Sequence, residues 1–217
     1  MKSDAQLKSD IEAELEWEPS INAAHVGVSV NKGVVTLTGH LDTYAEKFAI
    51  DRVVSRVCGV HAVAVELDVK LAAGHVRSDT DIASTAEDTI RWNTLIPVDK
   101  VRVKVEKGWV TLTGEVDWDF QRHAAENAMH AIKGVRSVIN AITLKPRSAP
   151  ADVATRIGEA LKRRAQREAR DVHVTMSGNV VTLRGQVHSV PERDAARGAA
   201  MAAPGVARVI DELTLAP

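Results

Sequence analysis

Eight histidines, one cysteine and one dense basic run are the residues of this chain whose types could do chemistry. His25, His40, His61, His75, His123, His130, His173 and His188 would offer metal ligands or proton carriers. None falls in an H-x-x-x-H or H-E-x-x-H pattern, so no pair stands one helical turn apart beside a third donor. His123 and His130 share a helix face, but no carboxylate or cysteine is set to complete a ligand set. Cys58 stands toward the end of an expected helix, away from the N-terminal position that activates a thiol. Phosphate loops, dinucleotide fingerprints and nucleophile elbows are missing. The expectation is a protein that is not an enzyme, with no catalytic residue, metal or cofactor.

Binding chemistry is better represented. In "LKRRAQREAR", Lys162, Arg163, Arg164, Arg167 and Arg170 form the densest basic cluster, suited to an anionic surface. Each basic side chain near anionic lipid contributes roughly 1 kcal/mol. Nucleic acid is not expected, because no stacking aromatics accompany the run. Only 3% of residues are aromatic, so their places matter. Trp109 stands where two related positions hold Val34 and Val180, and Trp118 and Phe120 lie beside Arg122. Aromatic and basic side chains together suit a membrane interface or a protein contact. The alternative is that these rings seal contacts between domains. Trp17 and Trp92 read as local packing staples.

The elements that must position these residues come from a repeat. Gly33, Thr36, Leu37, Gly39 and Gly59 recur 75 positions later as Gly108, Thr111, Leu112, Gly114 and Gly134, and again 71 positions on as Asn179, Thr182, Leu183, Gly185 and Gly205. Apolar residues at i, i+4 and i+8 predict a first helix in each copy: Leu7, Ile11, Leu15; Ile82, Ala86, Ile90; Val153, Ile157, Leu161. Ser3 and Asp4, then Ser78 and Asp79, stand where N-caps belong. Strict alternation at Val26, Val28, Val30 and its counterparts predicts a strand. A tight hairpin follows at Gly33, Gly108 or Asn179, then a second strand carrying Val35 and Leu37 inward. Gly39, Gly114 and Gly185 read as turn residues closing that strand. A second helix is expected over 44–58, 119–133 and 190–203, with Gly59, Gly134 and Gly205 as C-caps. A third strand then completes each copy.

The prediction is an α+β protein of three tandem α-β-β-α-β units spanning 1–72, 76–147 and 148–217. In each unit two helices cover one face of a small three-stranded mixed sheet. Gly33, Gly39, Gly59, Gly108, Gly114, Gly134, Gly185 and Gly205 are assigned to scaffold.

This combination resembles the BON domain family. The resemblance rests on "GVVTLTG" at the second strand, "GVHAV" or "GVRSV" opening the third, and the fit of the middle copy, "GWVTLTGEVDWDFQRHAAENAMHAIKGVRSVINAITLKP". The third copy departs most, with Asn179, Pro191 and Gly198. The resemblance implies a non-catalytic surface-binding protein of osmotic or general stress, binding anionic phospholipid through tandem modules. It leaves open a protein-interaction or chaperone-like module and an ion-responsive protein, with Asp42, Asp117 and the acidic stretch Asp10–Glu18 as candidates.

Formal net charge is −1, so no global field draws the chain to nucleic acid or membrane. The distribution is uneven: residues 1–72 hold 7 basic and 11 acidic groups, 73–147 hold 11 and 10, and 148–217 hold 10 and 8. A single cysteine excludes an intrachain disulfide. No run is long and apolar enough to span a bilayer. The opening residues lack an apolar signal-peptide region, so a cytoplasmic protein is expected, or a periplasmic one only after removal of a leader.

Overall fold

A computed structural model describes residues 2–146, 150, 152–164 and 172–216. Residues 2–143 form one compact unit containing two α-β-β-α-β domains, and the third domain lies in the unit that begins at residue 144.

The first domain runs α1 (Asp4–Trp17), β1 (Val26–Asn31), β2 (Val34–Leu41), α2 (Tyr44–Val54) and β3 (Ala62–Val69). The second repeats this as α3 (Asp79–Trp92), β4 (Val101–Glu106), β5 (Trp109–Val116), α4 (Asp119–His130) and β6 (Ser137–Leu144). The third follows with α5 (Val153–Arg164), β7 (His173–Ser177), β8 (Val180–Val187), α6 (Val190–Met201) and β9 (Arg208–Leu215). Each domain has its own three-stranded sheet, with the second strand of the repeat in the centre. β1 pairs antiparallel with β2, and β2 pairs parallel with β3; β7, β8 and β9 repeat that arrangement.

The apolar stripes face the cores as predicted. Leu7, Ile11 and Leu15 are buried with Val35, Leu37, Ile50 and Val54. Val153, Ile157 and Leu161 are buried with Val181, Leu183 and Leu213. Fully burying one such side chain stabilises by about 1.5–3 kcal/mol, so each stripe is a principal anchor of its helix.

The hairpin loops hold a contact that local patterning did not reveal. Lys32 and Gly33 both take positive φ, 50° and 75°, as do Lys107 and Gly108 at 53° and 79°. Two successive left-handed residues match the right-handed twist of flanking strands, but lysine pays for that conformation where glycine does not. The Asp4 carboxylate offsets this by accepting the Lys32 and Gly33 N–H groups at 2.8 and 3.1 Å. Asp79 accepts from Lys107 and Gly108 at 2.7 and 2.8 Å. The caps themselves are Ser3 and Ser78. Asp4 and Asp79 therefore clamp each first helix to the hairpin of its own domain. The third domain has Pro150 at the corresponding position and Gly178, φ 58°, as its first turn residue.

Two glycine assignments change. Gly39, Gly114 and Gly185 do not close a turn; they lie inside β2, β5 and β8, the first two opposite Val26 and Val101. A Cβ on Gly39 would overlap the His25 carbonyl oxygen, and one on Gly114 would overlap that of Lys100. Their role is close backbone approach. The second helices also end earlier than predicted, with Ser55, Ala131 and Ala202 as C-caps. Gly59, Gly134 and Gly205 thus belong to the following turn.

Candidate functional site

The exposed apolar side chains define where this scaffold can bind. Trp109 begins β5 on the sheet face away from the helices and is 51% exposed; Ile139, also exposed, stands on β6. Trp118 is half-buried just beyond the other end of β5, and Phe120, 54% exposed, opens α4. At about 3.3 Å per strand residue, β5 carries Val116, two residues short of Trp118, about 23 Å from Trp109. The structure therefore does not gather Trp109, Trp118, Phe120 and Arg122 into one patch. Arg122 is further committed to an ion pair with Asp119 of its own helix, which reduces its reach toward an external anion.

The basic run is divided likewise. Lys162, Arg163 and Arg164 end α5, and Arg163 stands 3.9 Å from Glu159. Arg167 and Arg170 lie outside the described residues.

The largest exposed rings are two that sequence reasoning assigned to packing. Trp17 and Trp92, at matching ends of α1 and α3, are 86% and 84% exposed, so neither is a staple. The signal was present in the spacing. Each follows the last buried stripe residue, Leu15 or Ile90, by two positions. At about 100° per residue this places the ring about 200° around the helix, opposite the core.

Their surroundings differ in charge. The groove beside Trp17 encloses about 610 Å³ and is lined by Lys2, Asp10, Glu14, Glu18, Arg56 and Cys58 among others. Hydrogen bonds from Lys2 and then Gln6 hold the Asp10 carboxyl below the usual carboxylate range, and Ser20 does the same for Glu18. The groove beside the end of α3 encloses about 420 Å³ and is lined by Glu87, Ile90, Arg91, Val98, Arg102 and neighbouring valines. Trp92, Leu95 and Val98 stand exposed within seven residues of chain there.

The histidines divide between surface and interface. His25 and His40 stack with ring centroids 4.5 Å apart, and His130 is buried against Tyr44 and Phe48. Among the described residues, no three of His, Cys, Asp and Glu are grouped to hold a metal ion. The candidate carboxylates are engaged: Asp42 accepts from Asn22 at 3.4 Å, and Asp117 pairs with Lys100 at 2.6 Å. Cys58 is exposed beyond the end of α2. Among the described residues, no helix is long and apolar enough to cross a membrane.

Three copies of one small α+β module define a tandem-repeat protein. The chain belongs to the BON domain family, whose profile matches residues 3–70, 78–146 and 150–217. It is 30% identical over 146 residues to osmotically-inducible protein Y of Escherichia coli, covering 65% of this chain and 73% of that protein. Two structures of CdsD, a structural protein of the type III secretion system of Chlamydia trachomatis, align at 16% and 15% identity, each with a TM-score of 0.25. The first alignment covers 98% of this chain and 93% of that one, and the second covers both completely. Likeness at that level carries no functional weight.

Proposed function

We propose that this is a non-catalytic surface-binding protein of osmotic or general stress, whose tandem BON modules bind anionic phospholipid. The observation that carries the reading is the end of α3, where exposed Trp92, Leu95 and Val98 adjoin a groove lined by Arg102, by Arg91, which also meets Asp88 at 3.0 Å, and by one acid, Glu87. Apolar side chains enter the headgroup region while neighbouring cations meet lipid charge. Each module makes weak contact, and covalent connection raises the effective concentration of the next. The similarity to an osmotically inducible protein supports the physiological setting.

Vesicle co-sedimentation tests this. Binding is expected on vesicles containing anionic lipid, with salt weakening it as the Debye length shrinks to about 3 Å at 1 M. Trp92→Ser should reduce recovery about tenfold, equivalent to about 1.4 kcal/mol, and Trp17→Ser should leave it unchanged. Equal recovery on neutral vesicles, or none on anionic ones, overturns the proposal.

A second reading concerns the first domain alone. Trp17 stands in a groove where Asp10, Glu14 and Glu18 outnumber Lys2 and Arg56, which favours a basic protein surface over an anionic membrane and supports a protein-interaction role there.

A further inference from the structure

The first two domains meet where α2 packs against α4. At the centre of this contact His130, the last residue of α4, is only 8% exposed. Its ring lies against two side chains of the first domain. The Phe48 ring is tilted across it at 4.1 Å between centroids, and the Tyr44 ring meets it edge-on at 5.4 Å. Tyr44 also hydrogen-bonds the Val138 backbone of β6, so one aromatic residue bridges both elements of the second domain. The His130 Nε2 atom is buried without a hydrogen-bond partner among the described residues.

That arrangement suits one protonation state. A neutral imidazole leaves Nε2 as an unshared acceptor, which is a modest cost. An imidazolium brings a net charge and a second N–H into the same place, with no acceptor to receive it. The corresponding residues of the other domains are Ser55 and Met201, so only the middle domain has a titratable ring here.

We propose that His130 is a pH-sensitive lock between the first and second domains: its neutral ring seats Tyr44 and Phe48 of α2, and protonation releases them. The groups around the ring set the balance. From α2 the titratable residue is Tyr44, with Asp51 one turn beyond Phe48 on the same helix face. From β6 come Val138 and Asn140, neither of them charged. On its own side of the contact, Glu126 stands one turn earlier and Lys133 three residues later. Glu126 favours the charged ring, but its carboxylate is also held by the Asn140 side chain at 3.0 Å. The Phe48 face also favours a cation. Burial outweighs the pull of Glu126, holding the His130 pKa below its ordinary value.

The direction of the pH effect follows. The released ring regains an ordinary pKa near 6.5, so the released state binds the proton more readily. Docking is fully present above about pH 6.5 and weakens as pH falls through that value. The loss reaches up to about tenfold per pH unit until the depressed pKa of the docked ring is passed.

The full-length chain supplies the test. Cys58 in the first domain and Thr113→Cys in the second, both exposed positions, accept a fluorescent donor and acceptor. Energy transfer is read between about pH 8 and about pH 5.5, spanning the range in which histidine titrates. The wild-type chain should show a narrow distance distribution at the higher pH and a broadened one at the lower, with unchanged far-ultraviolet circular dichroism. His130→Phe and His130→Met should remain narrow throughout; the methionine copies the third domain and serves if phenylalanine folds poorly. Nuclear magnetic resonance of the wild-type imidazole should give a midpoint below 6.5. A wild-type chain that stays narrow, variants that loosen as it does, broadening that coincides with loss of secondary structure, or a ring titrating at or above 6.5 each overturns the proposal.

Discussion

The ends of α1 and α3 place the same residue in the same position beside grooves of different charge balance, acid-rich at the first and mildly basic at the second. Trp17 and Trp92 are 75 residues apart in matching copies and nearly equally exposed. Glu12, Glu14, Glu16 and Glu18 surround the first in sequence, whereas the second has Arg91, Lys100 and Arg102 mixed with Glu87, Asp88 and Asp99, with Arg91 paired to Asp88 and Lys100 to Asp117. Below the tips the two domains share their stripes, their caps and the carboxylate that holds the hairpin. Triplication has preserved what folds the module and varied what the module presents. A protein built this way can meet two kinds of surface without altering its scaffold.

The largest expected effects test the shared part. Gly39→Ala and Gly114→Ala would each force a side chain onto a backbone carbonyl in a residue with φ of 119° or 137°. Each should cost about 3 kcal/mol or more, read by urea denaturation. Similar losses confirm that the two domains use one design. A domain that tolerates the change would show that its second strand approaches the start of the first differently.

The carboxylate clamps come next. Asp4→Ala and Asp79→Ala each remove a charged acceptor from two backbone N–H groups, and about 2 kcal/mol should be lost from each domain. Lys107→Gly should restore about 1 kcal/mol in the Asp79→Ala background, because glycine takes the left-handed turn position without the penalty lysine bears. The third domain, with Gly178 already in that place, is the natural precedent. Failure of the glycine to rescue would mean that Asp79 acts on the helix rather than on the turn.

These cases also mark what could be read from the chain. The fold was legible because the core stripes and strand alternation are short-range patterns, and three copies allowed each to check the others. The clamp was not, because Asp4 and Lys32 are 28 residues apart and either residue alone has a common local explanation. Gly39 was misplaced for a related reason: a glycine after alternating residues resembles a turn until the neighbouring strand is seen. Trp109 and Trp118 could be named but not separated until β5 fixed the distance between them. For Trp17 and Trp92, the 200° offset from the core already contained the answer, and size alone suggested packing instead. His130 depended on which face of the first domain meets the second, and no spacing within one copy records that.

The smallest effect tests whether charge alone distinguishes the two tips. Glu14 and Glu18 both line the groove beside Trp17, and Glu14→Lys changes that surface without touching the core. A basic side chain near anionic lipid contributes about 1 kcal/mol, so binding to anionic vesicles should rise about fivefold at low salt. Adding Glu18→Lys should increase it again, less a small loss because Glu18 also holds Ser20 at 2.7 Å. Both gains should vanish near 1 M salt, where the Debye length is about 3 Å. A tryptophan tip that stays inert after the reversal would place the difference in shape instead. Leu95 and Val98 accompany Trp92, whereas Ser20 and Ala23 occupy the matching positions near Trp17. Transplanting Leu95 and Val98 into the charge-reversed first domain would then supply the missing apolar area, and recovery of binding would identify it as the deciding term.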